Sequence, residues 1–247
     1  MAPHLSVNLN AIALLRNRRD LSWPSVTGIG ALALDAGAHG LTVHPRPDER
    51  HIRRQDVYDL KEMITERYPL KEFNIEGYPD DRFMAVILDI RPDQVTFVPD
   101  DPSQNTSDHG WDVAANKEML TNVINIAHEA QCRVSLFVDT DPKVVTEAAS
   151  VGADRVEIYT GPYGALVKDT HIQEELDRIE ATFAAAKAAG IEVNAGHDLT
   201  LANLPALVKR VPGIAETSIG HCFTADCLVF GVKETVKRYL TQLGHQI

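Results

Sequence analysis

The sequence predicts a single (β/α)8 barrel with extra short helices, forming one domain over residues 1–247. Eight short runs rich in β-branched residues recur along the chain, and a stretch with helical apolar spacing follows each of them. No interdomain linker or low-complexity segment interrupts this alternation, which is typical of parallel strands joined by crossover helices. The eight runs are residues 5–10, 40–45, 72–77, 94–99, 133–139, 155–161, 192–197 and 216–221.

The helical stretches between these runs have recognisable ends. In chain order they include SVTGIGALALDAGA, DVYDLKEMITERY, ANKEMLTNVINIAHEAQ, DPKVVTEAASVGA, ELDRIEATFAAAKAAG and the closing ADCLVFGVKETVKRYLTQL. Asp141 and Pro142 suit an N-cap and a first turn, and Gly37, Gly152 and Gly190 suit helix C-termini. An open doubly wound sheet is the alternative. It would have about six strands and usually a glycine-rich first turn, and no GxGxxG or Walker pattern follows any run.

Composition and charge exclude several partners. The chain has 44% hydrophobic and 24% charged residues, as expected of a globular protein with an ample core. No apolar run approaches the roughly 18 residues of a membrane span, and MAPHLSVNLN lacks the pattern of a signal peptide. A net charge of −11 argues against a nucleic-acid partner or an anionic membrane surface. Cys132, Cys222 and Cys227 show no CxxC spacing, so we expect reduced thiols in a cytoplasmic protein.

Ionisable or amide residues end seven of the eight predicted strands. In a (β/α)8 barrel the strand ends and the loops after them surround one mouth, where the chemistry takes place. The fourth strand instead opens the longest loop, residues 100–112, which is the candidate lid because of its length and composition. The residues at the strand ends are Asn8, Asn10, His44, Arg46, Glu76, Asp139, Glu157, Tyr159, His197, Ser218, Gly220 and His221.

Each of these residues also has a purely structural interpretation. A single histidine at a strand end is usually only hydrogen-bonded, but His44, His197 and His221 would lie together at one mouth. Glu76 and Glu157 have apolar neighbours in their strands, where a carboxylate is costly unless it is paired or used. For Glu157 the alternative is an ion pair with an arginine inside the barrel.

Two more groups of residues have structural alternatives. Asn8 and Asn10 would share one face of the first strand and could be polar fillers. Arg16, Arg18 and Arg19 form a charge run that is usually a solvated face, and we expect at least one of them to reach the mouth.

The residue types at the mouth favour acid–base chemistry on a small anionic substrate. No lysine ends a strand, which argues against a Schiff-base aldolase. His44, Glu76, Glu157 and His197 could all bind a metal, but closely spaced ligand pairs such as HxH or HExxH are absent, so we predict no metal and no cofactor. Arginine side chains and backbone amides after the seventh and eighth strands would hold phosphate.

Six segments, in this order and spacing, carry a resemblance to a known family: VNLNAIALLRN, GLTVHPRPDERHI, FNIEG, VEIYTG, NAGHDLT and SIGH. The chain resembles the pyridoxine 5′-phosphate synthase family from about residue 5 to residue 243. The resemblance implies a cytoplasmic homo-octamer of (β/α)8 barrels. It also implies condensation of 1-deoxy-D-xylulose 5-phosphate with 3-amino-2-oxopropyl phosphate to pyridoxine 5′-phosphate, phosphate and water, without metal or organic cofactor.

The resemblance also implies a role for individual residues. His44 and Glu76 match the proton acceptors, His197 matches the proton donor, and Glu157 matches a carboxylate that stabilises the transition state. The residues that match the deoxyxylulose phosphate site are Asn10, Arg46, His51 and Thr106. Those that match the aminoketone phosphate site are Asn8, Arg19, Asp198, Gly220 and His221.

Four residues, at three places in the chain, depart from the pattern of many family members. Asn10 and Ala11 stand where Asp-His is common, Asp198 replaces a glycine, and Tyr159 stands where histidine is frequent. A carboxylate would repel a phosphate, so we expect Asp198 to turn away, cap the next helix and offer only its backbone N–H. Two alternatives remain open: a metal-dependent enzyme acting on another sugar phosphate, such as an isomerase or aldolase, and a non-catalytic barrel that binds a phosphorylated metabolite.

Overall fold

The computed structural model describes residues 2–19, 21–100, 104, 106–166 and 169–246. Its eight strands form one closed parallel barrel in the order β1-β2-β3-β4-β5-β6-β7-β8, with β8 pairing with β1. The predicted (β/α)8 fold is therefore confirmed. The strands are β1 His4–Asn8, β2 Gly40–Val43, β3 Glu72–Gly77, β4 Gln94–Phe97, β5 Arg133–Val138, β6 Arg155–Tyr159, β7 Glu192–Gly196 and β8 Glu216–Ile219.

Helices surround the barrel, and two short ones, Asn10–Arg16 and Gly161–Gly164, precede the longer helix that leads to the next strand. In chain order they are α1 Asn10–Arg16, α2 Val26–Asp35, α3 Arg54–Arg67, α4 Asp81–Ile90, α5 Lys117–Glu129, α6 Pro142–Ser150, α7 Gly161–Gly164, α8 Asp169–Ala189, α9 Leu204–Arg210, α10 His221–Phe230 and α11 Val232–Gln242. Within the described ranges, no helix is long and apolar enough to cross a membrane.

Alternation along each strand separates an apolar layer from a polar interior. Leu5 and Val7 of β1 are fully buried in the core cluster, as expected of the strand face that packs on helices. The intervening Ser6 contacts Thr42 of β2 through its hydroxyl (2.7 Å), and Asn74 of β3 donates to Thr42 Oγ1 (3.3 Å). Because side chains alternate with a period of two, Asn8 extends the face of Ser6, and the same rule directs Glu76 inward after Asn74.

Most predicted helix ends are confirmed. Asp141 is the N-cap of α6, its side chain accepts from the Lys143 N–H (2.9 Å), and Pro142 opens the helix. Gly37, Gly152 and Gly190 have φ angles of +113°, +93° and +78°, conformations that favour glycine at a helix end.

Several boundaries differ from the prediction. Predicted strands such as residues 40–45 and 216–221 end earlier, at Val43 and Ile219, and His221 begins α10. The closing stretch is two helices, since Gly231 has φ +77° and separates α10 from α11. Asn10 is not a strand residue: β1 ends at Asn8, Leu9 turns with φ −93° and ψ 3°, and Asn10 begins α1.

Candidate active site

A pocket of about 410 Å³ opens among the residues at the C-terminal ends of the strands. It contains every site residue proposed from the sequence except Arg19. Those residues are Asn8, Asn10, His44, Arg46, His51, Glu76, Thr106, Glu157, His197, Asp198, Gly220 and His221. The structure therefore brings these side chains together at one mouth, and their individual roles stay predictions.

Glu76 of β3 is a buried carboxyl that shares the pocket with His44. Its Oε2 accepts a hydrogen bond from Asn8 Nδ2 (3.3 Å) and lies 4.0 Å from His44 Nδ1. Burial, and after it the nearby Asp100 carboxylate, raise the pKa of Glu76 to about 7, although Arg46 and the Asn8 hydrogen bond act in the opposite direction. A carboxyl with a pKa near 7 can take up and release protons at neutral pH.

His44 follows β2 directly, and its ring lies between two carboxylates. Nδ1 faces Glu76, while Nε2 lies 3.9 Å from Oδ2 of Asp100. The backbone N–H of His44 donates to Asn10 Oδ1 (2.9 Å), and the N–H of Asn10 donates to Asn8 Oδ1 (2.9 Å). The first turn of α1 thus fixes the end of β2.

The pKa of His44 is lowered well below its ordinary value, first by burial and then by the charge of Arg46. The imidazole is therefore neutral at physiological pH and has a lone pair available for a proton. His51 is similar: burial, with help from Arg46 and Arg50, lowers its pKa to about 4. Its Nδ1 accepts from the Ile52 N–H (2.9 Å), which leaves Nε2 as the other ring nitrogen that can bind a ligand.

Arg46 supplies a buried positive charge at one side of the pocket, with 3% of its surface exposed. Its guanidinium forms an ion pair with Asp100 and donates to the carbonyl of Gln104 (3.3 Å). Thr106 is exposed and lines the same pocket. An arginine, a histidine and a hydroxyl on one side form a surface that can hold a phosphate.

Glu157 of β6 is almost fully buried and forms no ion pair among the described residues. Within the described ranges its Oε2 has no hydrogen-bond partner, and burial, with the charges of Glu76 and Glu216, raises its pKa well above the usual carboxyl value. The alternative interpretation, an ion pair with an arginine, is therefore wrong for the described chain. Gly196 on the adjacent β7 leaves room for this carboxyl, since a Cβ there would lie 2.0 Å from Glu157 Oε1.

His197 follows β7 and has a backbone conformation that is rare for a side chain of its size, with φ +80°. Its ring packs against Phe137 and Tyr159 at centroid distances of 5.2 and 5.3 Å. Thr160 Oγ1 donates to the carbonyls of Gly196 and His197, both at 2.6 Å, and so holds this turn in place. Burial lowers the pKa of His197. Such strained residues are concentrated at functional sites.

Asp198 does not cap the next helix, contrary to the prediction. It has φ +55° and is exposed, whereas Asn203 is the N-cap residue of α9. Four residues lie between Asp198 and this cap, and the Asn203 side chain closes this segment by donating to the Asp198 carbonyl (3.0 Å).

The N-terminus of α10 follows β8, which only β1 separates from β2 and the Arg46 loop in the closed barrel. Gly220 is its N-cap residue, and a Cβ there would meet the Asn8 side chain at 3.1 Å, so the close approach of the two strands favours glycine. The free N–H groups of a first helical turn attract anions, and His221 and Cys222 of that turn line the pocket.

The arginine run after β1 does not reach the pocket. Arg19 is exposed and does not line the pocket. Arg16 is buried, but its guanidinium binds Asp56 of α3 and donates to the His51 carbonyl (3.2 Å). The expectation that one of the run enters the mouth is therefore wrong in this structure, and Arg16 serves to join α1 to α3.

Two residues of the site were not identified as site residues from the sequence. Asp100 contacts both Arg46 and His44, and Gly196 makes room for Glu157. The only signal for Asp100 was its place directly after the predicted fourth strand.

The candidate lid spans residues 100–112, of which 101–103 and 105 lie outside the described residues. Among the residues described, no three His, Cys, Asp or Glu side chains form a group that could hold a metal ion.

The fold and this pocket define a class: a (β/α)8-barrel protein whose pocket at the C-terminal ends of the strands contains buried carboxyl, imidazole and guanidinium groups. The profile of the family described as "Pyridoxal phosphate biosynthesis protein PdxJ" matches residues 5–245. The chain is 57% identical to the pyridoxine 5′-phosphate synthase of Mesorhizobium japonicum and 55% identical to that of Brucella anthropi; each alignment covers 99% of this chain and 100% of the relative. The chain belongs to the pyridoxine 5′-phosphate synthase family.

Solved structures share the barrel at low sequence identity. The YdjI aldolase from Escherichia coli K12 has a TM-score of 0.68 at 10% identity, with 98% of this chain and 91% of the aldolase covered. A phosphoribosyl anthranilate isomerase has a TM-score of 0.57 at 11% identity, with 98% of each chain covered. At such identities the likeness shows the fold alone.

Proposed function

We propose that this protein is a transferase that condenses 1-deoxy-D-xylulose 5-phosphate with 3-amino-2-oxopropyl phosphate to give pyridoxine 5′-phosphate, inorganic phosphate and water. The observation that carries the proposal is one pocket in which Glu76, His44, Glu157 and His197 converge. The names of the relatives in Mesorhizobium and Brucella agree with the product.

The proposed chemistry needs repeated proton transfer at one place. An amine joins a ketone, water and phosphate leave, and the ring closes and becomes aromatic. Neutral His44 and Glu76, whose pKa is about 7, are suited to accept protons. The role of proton donor is assigned to His197 through the family resemblance. Because one substrate carries the amine, the protein itself needs no lysine at the mouth.

Glu157 has a different proposed role. Burial raises the pKa of the Glu157 carboxyl well above the usual value, which favours its protonated form, and a protonated carboxyl can donate a hydrogen bond. This fits stabilisation of a transition state better than removal of a proton from the resting substrate.

Two surfaces would hold the two phosphates. Arg46, His51 and Thr106, with the amide of Asn10, suit the deoxyxylulose phosphate. Asn8, Gly220 and His221, at the start of α10, suit the aminoketone phosphate, and the Asp198 backbone N–H could add to them. Arg19 is part of this proposal through the resemblance alone.

The test is an incubation of purified, metal-stripped protein with both substrates in the presence of a chelator, followed by mass spectrometry for pyridoxine 5′-phosphate. Omitting either substrate provides the control. We expect product only with both substrates and undiminished activity in the chelator. Consumption of one sugar phosphate alone, restored by added metal, would instead support a metal-dependent isomerase or aldolase.

Turnover must be separated from simple binding. Glu76→Gln removes a proton acceptor but none of the proposed phosphate contacts, so calorimetric binding of the substrates should persist while turnover is lost. Near-normal turnover of E76Q would contradict the role proposed for Glu76. Binding without turnover in the unmodified protein would favour the non-catalytic alternative.

We also propose a cytoplasmic homo-octamer. Leu228, Val229 and Phe230 at the end of α10 are 81%, 73% and 36% exposed, an apolar surface that a second copy could cover. Sedimentation analysis of the purified protein tests this state, and Leu228→Glu should shift it toward smaller species.

A further inference from the structure

Asp100 lies at the junction of two parts of the site. It is 7% exposed, and its Oδ2 pairs with the Arg46 guanidinium and accepts a hydrogen bond from Ser107 Oγ (2.7 Å). The same Oδ2 lies 3.9 Å from Nε2 of His44. Its Oδ1 is buried without a hydrogen-bond partner in the part of the chain that the structure describes. Such a group is uncommon in folded proteins and has free capacity for another donor.

The carboxylate of Asp100 and a substrate phosphate would compete for one guanidinium. In the proposed function Arg46 holds a phosphate, yet here its charge is already matched by Asp100. Two anions that share one buried arginine repel each other. Binding of phosphate at Arg46 therefore weakens the hold of Arg46 on Asp100.

His44 is the nearest alternative partner for the released carboxylate. An ion-paired hydrogen bond between nitrogen and oxygen is about 2.8 Å long, so the gap of 3.9 Å closes with a side-chain motion of about 1 Å. The charged and titratable groups that face His44 come from β3, α4 and the loops after β2, β4 and β7. They are Glu76, Arg82, Arg46, His51, Asp100 and His197.

We propose that Asp100 is a positioning residue that exchanges partners: it pairs with Arg46 in the empty site and, when a phosphate occupies Arg46, pairs with His44 and makes this histidine a stronger proton acceptor. The inference rests on the proposed function for the roles of Arg46 and His44. It explains why a proton acceptor lies near Arg46 and Arg82, whose charges disfavour its protonated form when the site is empty: the base becomes strong only when the phosphate arrives.

The low proton affinity of His44 in the empty site is consistent with an exchange in which phosphate binds first and His44 becomes the stronger base afterwards. Burial and the charges of Arg46 and Arg82 lower the pKa of His44. A phosphate on Arg46 offsets one of these charges, and a carboxylate within hydrogen-bond distance of an imidazole favours the imidazolium.

The first test is an NMR pH titration of His44 in protein labelled at its histidines, with and without saturating inorganic phosphate. His44→Gln identifies the signal. The His44 titration should move to higher pH when phosphate is added, and this movement should be clearly smaller in Asp100→Asn. Asp108→Asn is the matched control, since Asp108 is an exposed carboxylate of the same loop bound to Gln104 and His109.

The second test separates binding from turnover. Asp100→Asn should bind inorganic phosphate about tenfold more tightly, the size of one charge-assisted hydrogen bond, because the competing anion is gone. Its kcat should fall about 100-fold, at the low end of what a general base contributes. In an Arg46→Gln background, D100N should no longer change phosphate affinity. Asp100→Glu, which keeps the charge, should recover part of kcat.

These results distinguish the inference from the proposed function. If the unmodified protein makes product but the His44 titration does not respond to phosphate, the inference is overturned and the function stands. Weaker phosphate binding together with lower kcat in D100N would also overturn it, since that pair of changes indicates a structural role. If no product forms, the phosphate and NMR measurements still decide whether Asp100 exchanges partners.

Discussion

Replacing Glu76 with Gln should change how stability depends on pH. Glu76 is buried, and its pKa is raised from an ordinary 4.5 to about 7. A carboxyl with a raised pKa in the folded state stabilises the fold when protonated, and this stability is lost as pH rises from the unfolded value through the folded one. The amide of E76Q cannot ionise, so the variant lacks this loss.

The size of the effect follows from the two pKa values. A rise of the Glu76 pKa from 4.5 to about 7 corresponds to about 3 kcal/mol, since each pKa unit is about 1.4 kcal/mol. Between pH 5 and pH 8, the free energy of unfolding of the unmodified protein should fall relative to E76Q by about 2.5 kcal/mol, most of that total. Nearly all of this change should occur below pH 7.5.

The assay is guanidinium chloride unfolding at fixed protein concentration from pH 5 to pH 8. Glu62→Gln is the matched control, because Glu62 is an exposed carboxylate in the middle of α3. E62Q should follow the unmodified protein across the whole range. Parallel curves for E76Q and the unmodified protein would mean that Glu76 ionises like an exposed carboxyl, which would refute its role as a proton acceptor near neutral pH.

Three further predictions follow from buried groups at or beside the site. Glu157→Gln should abolish turnover. Because burial raises the Glu157 pKa, the free energy of unfolding of this variant should increase relative to that of the unmodified protein as pH rises to 8. A variant less stable than the unmodified protein at pH 8 would contradict this. Gly196→Ala places a Cβ 2.0 Å from Glu157 Oε1, so the free energy of unfolding should fall by about 2 kcal/mol and turnover should decrease. Unchanged stability and turnover would exclude the packing argument. Arg16→Met leaves the Asp56 carboxylate buried without its partner, so the free energy of unfolding measured in urea should fall by about 3 kcal/mol. A fall of less than about 1 kcal/mol would indicate that water already hydrates the ion pair.

The barrel could be predicted because each strand carries its own signal. Runs such as residues 72–77 alternate between side chains that pack on helices and side chains that enter the barrel, and this alternation survives in the sequence without knowledge of the partners. Positive-φ glycines such as Gly152 mark helix ends for the same local reason. Asn10 was misplaced because the period of two continues past Asn8, although the backbone has already turned at Leu9.

The missed parts of the site depend on contacts between distant segments. Asp100 pairs with Arg46 across 54 positions of the chain, along a loop path that no local pattern predicts. Arg16 is withdrawn from the mouth by Asp56, 40 positions away, which the charge run after β1 could not indicate. Gly196 matters only because β6 places Glu157 beside it. Spacing predicts which residues reach the mouth, whereas the partners of each residue there require the folded chain.

The central claim is that the residues at this mouth join two phosphorylated substrates and expel one phosphate. The most direct measurement follows pyridoxine 5′-phosphate and inorganic phosphate in the same reaction, with metal-stripped protein at a small fraction of the substrate concentration. The account predicts equal amounts of both products through many turnovers, and neither when one substrate is omitted. Phosphate release without pyridoxine 5′-phosphate, from protein that is folded and binds both substrates, would contradict it.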